Sequence, residues 1–456
     1  MSTFDLDLMV IGGGGSGGFT AATTAMKTGA KVGMAEGGRL GGLCILAGCM
    51  PSKTLLHGAA QVKARGVSGR AAYPALHQFT KGVVDYLAGG RVESVEAKVK
   101  QGLQLYRGAA RFLDPHTVEV AGQKISAAKI VIATGSAEVV PPVPGLAESG
   151  YLDSAAFMAL AELPQSLLVL GGGTQAVELA QAAARLGVAT TMVQRSEHLM
   201  SKVDHRYGHI LADALAEDGA QIYTGTELKR VQREGEKVTA FFEHQGKEVS
   251  VSAQALLLSL GRRPNVAGLN LEAAGVTLGQ RGEVAVDRHM RTSQPHIFAA
   301  GDVTGWNMVV NLAVLQGQTA GYNATHEAPR EIDDRVLPTA VFTDPQFARV
   351  GLSLEQARAA GLDCLEADYD LGDMGPAKTY PERVRGYMSI RGEKGSGRIV
   401  GAELVAPEAS LMIHDMAVAI KMKATAADIA SIPYIHPCLG EISEFAAGRL
   451  ASKLKA

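Results

Sequence analysis

The chain has 456 residues, 46% of them hydrophobic and 20% charged, and its formal net charge at pH 7 is −2. This length predicts two or three domains, and the nearly balanced charge argues against nucleic acid or an anionic membrane as a partner. Four cysteines are too few for a secreted disulfide scaffold, so we expect a reducing compartment and one functional cysteine pair.

The first ten residues, MSTFDLDLMV, are acidic and lead directly into an apolar strand. This beginning does not fit the basic and apolar regions of a signal peptide. No stretch of the chain approaches the ~18 consecutive apolar residues that a membrane span needs. We therefore expect a cytoplasmic protein without a membrane partner.

A glycine-rich turn joins the first strand to the first helix. The strand Leu6–Ile11 leads into GGGGSGG at Gly12–Gly18, an alanine-rich helix continues to Lys27, and the strand Lys31–Ala35 ends before Glu36. In a Rossmann βαβ unit such glycines serve the turn, the approach of a diphosphate and the packing of the helix. A carboxylate at Glu36 can accept hydrogen bonds from an adenine ribose, which suits FAD or NAD.

Two cysteines follow in the segment GGLCILAGCMPSKT, where four residues separate Cys44 from Cys49. A disulfide needs their Cα atoms within roughly 7 Å, whereas a regular helix holds residues i and i+5 about 8 Å apart. Gly41, Gly42 and Gly48 allow a loop-to-helix entry that closes this gap. A helix that begins here would point its positive end at the sulfurs and favour a reactive thiolate. Taken alone, the pair also fits two small apolar core residues.

The strand–turn–helix–strand pattern occurs a second time in the middle of the chain. The strand Leu167–Leu170 is followed by a turn, a helix to Leu186 and the strand Ala189–Val193. The fingerprint positions of this second unit are Gly171, Gly173 and Ala176. One such pattern is a weak indication, but two in the right context predict two dinucleotide-binding domains.

The four consecutive glycines of the first unit leave two registers open, Gly12/Gly14/Gly17 and Gly13/Gly15/Gly18. Counting 18 positions back from Gln194, which ends the second strand of the second unit, reaches Ala176. Counting 18 positions back from Glu36 reaches Gly18. The repeat spacing therefore favours Gly13, Gly15 and Gly18.

The two units differ where the ribose would lie, because Gln194 and Arg195 stand in place of an acid. A carboxylate there would repel a 2′-phosphate, whereas a guanidinium can pair with it. We therefore expect FAD in the first unit, and NADP(H) in preference to NAD(H) in the second. The alternative is that Arg195 is a solvated loop charge.

Three further segments border the nucleotide units. KIVIATGS is a buried strand that ends in a turn at Thr134 and Gly135, and ALLLSLGRRPN, which contains Gly261, leaves the second unit. IFAAGD ends at Asp302, a residue that can also cap the helix that follows. Beyond about Arg335 the pattern changes to alternating strands, then to helices predicted at 410–423 and 441–450.

Several of these segments resemble motifs of the FAD-dependent pyridine nucleotide–disulfide oxidoreductases, which include lipoamide dehydrogenase, glutathione reductase and mercuric reductase. GGLCILAGCMPSK resembles the family's GGTCxNxGCxPSK, and HPCLGE resembles its HPTxxE. IFAAGD is similar to its second FAD segment, and LPTAVFTDPQFARVGLS to the start of its dimerisation domain. The resemblance covers essentially the whole chain.

The resemblance implies an α/β fold with two Rossmann-type dinucleotide-binding domains, one for FAD and one for NAD(P), and a C-terminal α+β dimerisation domain. The implied ranges are 1–146 and 266–334 for a discontinuous FAD domain, 147–265 for the NAD(P) domain inserted in it, and 335–456 for the dimerisation domain. The implied active unit is a homodimer.

The resemblance also implies roles for the reactive residues. Electrons would pass from NAD(P)H through FAD to a disulfide of Cys44 and Cys49, and then to a disulfide substrate. Cys49 would lie next to the flavin, and Cys44 would be the interchange thiol. His436 would be the acid/base of the other subunit, oriented by Glu441. No metal ligands are expected.

Three more contacts follow from the resemblance. Lys53 would lie beside the flavin and pair with Glu178, and a buried lysine without such a partner would tend to lose its proton. Asp302 would bind the ribityl chain of FAD.

Departures from the family pattern reduce the number of candidate functions. Leu43 replaces the Thr of GGTC, and Cys438 replaces the Thr of HPT. Thr23 and Thr24 stand where glutathione reductases carry arginines, and the C-terminus lacks the Cys pair of mercuric reductases. The leading interpretation is an enzyme of dihydrolipoamide dehydrogenase type. A flavin-dependent quinone or metal-ion reductase is the second, and a redox sensor without turnover is the third.

Overall fold

A computed structural model describes residues 4–381 and 384–455. The first three residues of the acidic N-terminus therefore lie outside the described part of the chain. The elements of the N-terminal third are β1 (Leu6–Ile11), α1 (Ser16–Met26), β2 (Val32–Glu36), α2 (Gly42–Ala47), α3 (Cys49–Arg65), α4 (Gly69–Lys100), β3 (Gln104–Arg107), β4 (Ala110–Asp114), β5 (Thr117–Val120), β6 (Gln123–Ile132) and β7 (Ser136–Glu138).

The middle of the chain forms a second set of elements. They are α5 (Ser154–Met158), β8 (Ser166–Leu170), α6 (Thr174–Arg185), β9 (Ala189–Val193), α7 (His205–Glu217), β10 (Gln221–Tyr223), β11 (Thr226–Glu234), β12 (Lys237–His244), β13 (Lys247–Ala253), β14 (Ala255–Leu258), β15 (Arg262–Pro264), β16 (Ile297–Ala299) and α8 (Val310–Asn323).

The C-terminal third contains β17 (Thr339–Val341), β18 (Gln346–Gly351), α9 (Leu354–Ala359), β19 (Cys364–Asp370), β20 (Tyr387–Glu393), β21 (Ile399–Ala406), α10 (Ala409–Met412), α11 (His414–Met422), α12 (Ala426–Ala430) and α13 (Ile442–Lys455). The single helix predicted at 410–423 is wrong in one respect. Ile413 separates α10 from α11, and its side chain is buried in the core of this third.

The first sheet has the strand order β3-β2-β1-β6-β5-β4, and β16 also pairs with β6. β1 lies between two parallel neighbours, β2 and β6. Leu8, Met9 and Val10 of β1 have no exposed surface, as expected for a strand covered on both faces. Helices α1 and α8 pack against each other on this sheet. The chain returns to this sheet through β16, after the elements of the second unit.

The second sheet is a parallel four-stranded sheet in the order β10-β9-β8-β14, next to an antiparallel meander of β11, β12 and β13. A two-stranded ribbon of β7 and β15 carries the chain between the first two units. The third sheet is antiparallel, in the order β17-β18-β21-β20-β19, and α13 packs on it. The predicted α/β class with two Rossmann-type units and a C-terminal α+β unit is confirmed.

The sequence analysis predicted neither the meander β11–β13 nor the 32-residue helix α4. Ser68 caps the N-terminus of α4 by accepting a hydrogen bond from the Ala71 backbone N–H. α4 packs along α3 and also contacts α2. Within the described residues, no helix combines the length and the apolar character needed to cross a membrane.

Candidate active site

A break between two helices brings the two cysteines together. Cys44 lies in the first turn of α2, and Cys49 is the first residue of α3. Gly48 between them has φ −135° and ψ −110°, and a Cβ on it would lie only 2.9 Å from the carbonyl oxygen of Leu43. Both cysteines are free thiols, and each shifts the pKa of the other. The break between α2 and α3 therefore holds the two cysteines of the predicted pair close to each other.

The two thiols have opposite acidities. The hydrogen bond from Cys44 and the charge of Lys53 lower the pKa of Cys49 from 9.0 to about 7. Donation of the same hydrogen bond, together with burial, raises the pKa of Cys44 above its ordinary value. Cys49 is therefore the more acidic thiol of the pair, and its place at the N-terminus of α3 favours the thiolate.

Lys53, one turn beyond Cys49 in α3, pairs with a buried carboxylate. Its Nζ lies 2.7 Å from Oε2 of Glu178 in α6, and the Glu178 side chain is only 4% exposed. The other oxygen, Oε1, accepts the backbone N–H of Phe342 at 2.9 Å. Lys53 Nζ also lies 4.6 Å from the centre of the Phe342 ring. The predicted ion pair is thus present, and it joins all three units of the chain.

The glycine-rich turns of the two nucleotide units can be compared position by position, counted from the N-cap of the helix that follows each turn. Gly15 is the N-cap of α1, as Gly173 is the N-cap of α6. Gly18 and Ala176 follow these caps by three positions, and a Cβ at Gly18 would lie 2.5 Å from the carbonyl oxygen of Gly12. The second and third positions of the predicted register fit this geometry.

The first position of that register needs a correction. Directly after β8, Gly171 has φ +124°, and directly after β1 the positive φ of +82° belongs to Gly12 rather than Gly13. The turn of the first unit therefore contains one more residue than the turn of the second. Gly13 still requires the absence of a side chain, because a Cβ there would overlap Met34.

Glu36 and Gln194 occupy the same place at the ends of β2 and β9. Glu36 Oε2 accepts the Gly14 backbone N–H at 2.8 Å, and its Oε1 accepts the Gly38 N–H at 2.9 Å. A Cβ on Gly172 of the second turn would lie 2.9 Å from the side chain of Gln194. Among the described residues, the exposed side chain of Arg195 has no ion-pair or hydrogen-bond partner.

Asp302 lies at the end of β16 in a polar network that the sequence did not reveal. Its Oδ2 accepts the Ser136 hydroxyl at 2.7 Å, and Ser136 Oγ in turn accepts Arg262 Nε at 2.8 Å. Arg262 also pairs with Glu138. No motif spacing connects these four side chains, since the ribbon of β7 and β15 brings them together.

The remaining predicted glycine positions lie around this ribbon. Gly135, with φ +74°, accepts the Asn265 backbone N–H at 2.9 Å. Thr134 donates its hydroxyl to the carbonyl oxygen of Asn265 at 2.6 Å. Gly261 has φ +111° and accepts the Val139 N–H at 3.0 Å. All three are backbone positions of the crossing between the two nucleotide units.

His436 and Glu441 form a second group, on the C-terminal unit. His436 Nδ1 lies 3.1 Å from Glu441 Oε2, and the His436 side chain is 74% exposed while that of Glu441 is 8% exposed. Glu441 Oε1 accepts the Cys438 backbone N–H at 2.9 Å. This bond first, and His436 second, lower the pKa of Glu441. Among the described residues, no hydrogen bond joins this group to the dithiol of the same chain.

Family comparisons agree with this arrangement. Residues 6–317 match the family described as pyridine nucleotide-disulphide oxidoreductase. Residues 337–447 match the dimerisation domain of the same family. The chain belongs to this family.

Individual relatives cover nearly the whole of this pyridine nucleotide–disulfide oxidoreductase. A mercuric reductase from Staphylococcus aureus is 35% identical over 440 residues, which are 94% of this chain and 80% of that protein. A dihydrolipoyl dehydrogenase from Geobacillus stearothermophilus is 34% identical over 450 residues, 95% and 94% of the two chains. The Cu(II) complex of the HOCl-induced flavoprotein disulfide reductase RclA from Escherichia coli has a TM-score of 0.87 at 28% identity, with 99% and 100% coverage.

The family is FAD-dependent and uses a pyridine nucleotide, so this pyridine nucleotide–disulfide oxidoreductase is an enzyme that acts on sulfur groups with NAD(P)H. The residues present fit FAD in the first unit. Gly15 and Gly42 approach each other so closely that a Cβ on Gly42 would lie 2.6 Å from the Gly15 Cα. Glycine is therefore needed beside the N-terminus of α1, where a diphosphate binds in such folds.

Proposed function

We propose that this enzyme is an NAD(P)H:disulfide oxidoreductase of dihydrolipoamide dehydrogenase type, in which Cys44 reacts with the substrate and Cys49 faces the flavin. The observation that carries this proposal is the geometry of the pair: Cys49 is the first residue of α3, Cys44 lies across the Gly48 break in α2, and the Lys53–Glu178 pair lies one turn beyond Cys49. When bound, FAD would relay electron pairs between the nicotinamide and the dithiol.

The FAD site would use residues of the first unit. Gly15 and Gly18, together with Gly12 and Gly13 in the turn before them, would let the chain approach the diphosphate, and the carboxylate of Glu36 has the free lone pairs needed to accept ribose hydroxyls. Asp302 would hold the ribityl chain. The Lys53–Glu178 ion pair would fix the position of Lys53 in a partly buried place beside the flavin.

The dithiol would react by ordinary thiol–disulfide exchange. The sulfur of Cys44 attacks one substrate sulfur, which forms a mixed disulfide and releases the other half as a thiolate. Cys49 then attacks the Cys44 sulfur, which releases the second half and leaves the Cys44–Cys49 disulfide. Two electrons from NAD(P)H return this disulfide to the dithiol. His436 would take the proton of the Cys44 thiol as its sulfur attacks and would pass it to the leaving thiolate, and Glu441 would orient the His436 imidazole.

We propose that the active unit is a homodimer in which His436 of each chain faces Cys44 of the other. The dimerisation-domain match supports this arrangement, as does the exposure of His436 and of its neighbour Ile435, which is 80% exposed. We also propose that the enzyme works in the cytoplasm and prefers NADP(H), since Gln194 and the unpaired Arg195 suit a 2′-phosphate better than an acid would.

Two serine variants test the division of roles. Cys44→Ser should keep the long-wavelength charge-transfer absorbance between the Cys49 thiolate and flavin but lose disulfide reduction. Cys49→Ser should lose both. The reverse pattern of absorbance would contradict the assignment. Disulfide reduction that depends on neither cysteine would contradict the proposed reaction, and an enzyme that reduces no disulfide in spite of an intact pair would favour the sensor.

Metal-ion reduction is a second candidate, favoured by the similarity to mercuric reductases and to a reductase solved as a Cu(II) complex. Cys438 would then be a third thiol next to His436. Among the described residues of one chain, no cluster of three or more metal-ligating side chains exists. The variant Cys438→Thr distinguishes metal capture by the Cys438 thiol from a role in which this side chain only fills the volume of the family's Thr. Unchanged reduction of Hg(II) and Cu(II), with an unchanged thiol count after NADPH reduction, would remove Cys438 from metal capture.

A further inference from the structure

The segment 433–437, which contains His436, has few bonds to the rest of its unit. Among the described residues, no backbone N–H or C=O group of this segment takes part in a hydrogen bond. Four of its five residues are exposed, and Tyr434 is the half-buried one. A tether that orients His436 from the preceding side of the chain must therefore act through Tyr434.

One hydrogen bond joins this segment to a helix. The Tyr434 hydroxyl donates to Oδ2 of Asp415 in α11 at 3.1 Å. The other carboxylate oxygen, Oδ1, accepts the backbone N–H of Met416 at 2.7 Å, so both oxygens of Asp415 are engaged. α11 packs on β18 and β21, and Met416 has no exposed surface. Asp415 therefore ties Tyr434 to the packed core of the C-terminal unit.

A second anchor follows His436 in the chain. Glu441 Oε2 lies 3.1 Å from His436 Nδ1, and Glu441 Oε1 accepts the Cys438 backbone N–H at 2.9 Å. These two contacts hold the imidazole and the chain after it, but they do not hold the chain before it. A segment with few buried contacts and few hydrogen bonds opens easily, so a tether on the preceding side limits the directions that the His436 side chain can take.

We propose that Tyr434 is a positioning residue, whose hydroxyl, held by Asp415, keeps the His436 imidazole where it can exchange a proton with Cys44 of the other chain. This inference rests on the proposed exchange at Cys44 and deepens it. A bond to a carboxylate is stronger than one between neutral groups, which suits a tether that acts alone. Tyr434 itself would touch neither the substrate nor the reacting sulfurs.

Reduction of lipoamide by NADPH, combined with stopped-flow reduction of the flavin by NADPH, tests the tether. Tyr434→Phe keeps the ring and removes the hydroxyl. It should lower kcat for lipoamide about tenfold, with KM and the rate of flavin reduction unchanged, because neither of these depends on His436. Asp415→Asn leaves a neutral acceptor and should lower kcat by a smaller factor.

A matched control and a double variant sharpen this test. Tyr369→Phe removes a hydroxyl from β19 of the same unit that has no hydrogen-bond partner among the described residues, and it should change neither rate. Asp415→Ala should lower kcat about as much as Tyr434→Phe. The double variant should lower kcat no further than either single change, because both remove the same bond.

Hydrogen exchange followed by mass spectrometry separates this inference from the proposed function, since it needs no turnover. The Cys438 amide is bonded to Glu441, so its exchange reports how firmly the chain next to His436 is held. Tyr434→Phe should speed the exchange of this amide about tenfold, and Tyr369→Phe should leave it unchanged.

The outcomes are distinct. If the wild type reduces no lipoamide but the exchange of the Cys438 amide depends on Tyr434, the proposed function fails and the tether stands. If Tyr434→Phe leaves kcat unchanged in an active enzyme, the inference is wrong whatever the exchange rate. It is also wrong if Tyr434→Phe slows flavin reduction and lipoamide reduction by one factor, or if the losses of the two single variants add in the double variant.

Discussion

In the first nucleotide-binding unit the second strand, β2, ends at the carboxylate of Glu36. In the second unit the corresponding strand, β9, is followed by the amide of Gln194 and the guanidinium of Arg195. Glu36 is fixed by the backbone N–H groups of Gly14 and Gly38. Gln194 lies at the matching place under Gly172, and Arg195 beside it is exposed and unpaired among the described residues. Because the two units share the backbone frame, we propose that these side chains select the adenosine that each unit accepts.

The turns differ as well. The first unit has one more residue between its positive-φ glycine and its N-cap, and it needs glycine at position 18 where the second unit has Ala176. A Cβ is therefore tolerated in one unit and excluded from the other. The comparison teaches that the first unit is packed more tightly around its helix start, as suits a cofactor that stays bound.

Removal of Arg195 should have the largest effect on this comparison. Arg195→Ala should weaken NADPH binding about tenfold to a hundredfold, because a hydrogen bond with a charged partner contributes roughly 1.5–3 kcal/mol. The same change should leave NADH binding nearly unchanged. Gln194→Glu should shift the preference the same way by repelling the 2′-phosphate. kcat/KM for both nucleotides measures this. A wild type that prefers NADH, with Arg195→Ala altering neither value, would make Arg195 a surface charge.

Glycine-to-alanine exchange at the third fingerprint position should have the next largest effect. Gly18→Ala places a Cβ 2.5 Å from the carbonyl oxygen of Gly12. Such overpacking costs roughly 1–3 kcal/mol of stability. We expect a lower flavin content and a lower melting temperature. Ala176→Gly is the matched change in the second unit and should cost about 1 kcal/mol at most, with full flavin content. Equal effects of both changes would show that the two turns are packed alike.

Neutralisation of Glu36 should have the smallest effect. Glu36→Gln keeps the size of the side chain but replaces a charge-assisted hydrogen bond by a neutral one, a difference of about 1 kcal/mol or roughly fivefold in FAD affinity. Reconstitution of the apoprotein with FAD, followed by flavin fluorescence, measures it. The kcat/KM ratio of NADPH to NADH is the control and should stay constant. A change in that ratio without a change in FAD affinity would reverse the assignment of the two units.

Much of this organisation is readable from the sequence. The apolar runs at β1 and β8 predict the parallel strands, and the repeat of glycine patterns predicts two units. The cysteine segment, Lys53–Glu178 and His436–Glu441 follow from resemblance, and the two pairs lie within hydrogen-bond distance. The preference for NADP(H) and the roles of the cysteines stay predictions.

Other features depend on packing that local patterns do not encode. In a run of four glycines every residue can adopt positive φ, so the sequence did not show that Gly12 takes it. Pro74 and the Gly89–Gly90 pair conceal the length of α4, which packing on α3 stabilises. The contact of Arg91 with the Phe19 ring depends on how α4 meets α1, so it emerges only in three dimensions.

Anaerobic titration of the wild-type enzyme with NADPH is the most direct test of the central claim, that electrons cross from the second unit through the first to the dithiol. Because the pKa of Cys49 is lowered to about 7, its thiolate forms above that pH and is protonated below it. We predict two more titratable thiols and a long-wavelength thiolate–flavin absorbance that is strong well above pH 7 and fades well below it. Full bleaching of the flavin with no such absorbance and no new thiols at any pH would contradict the account.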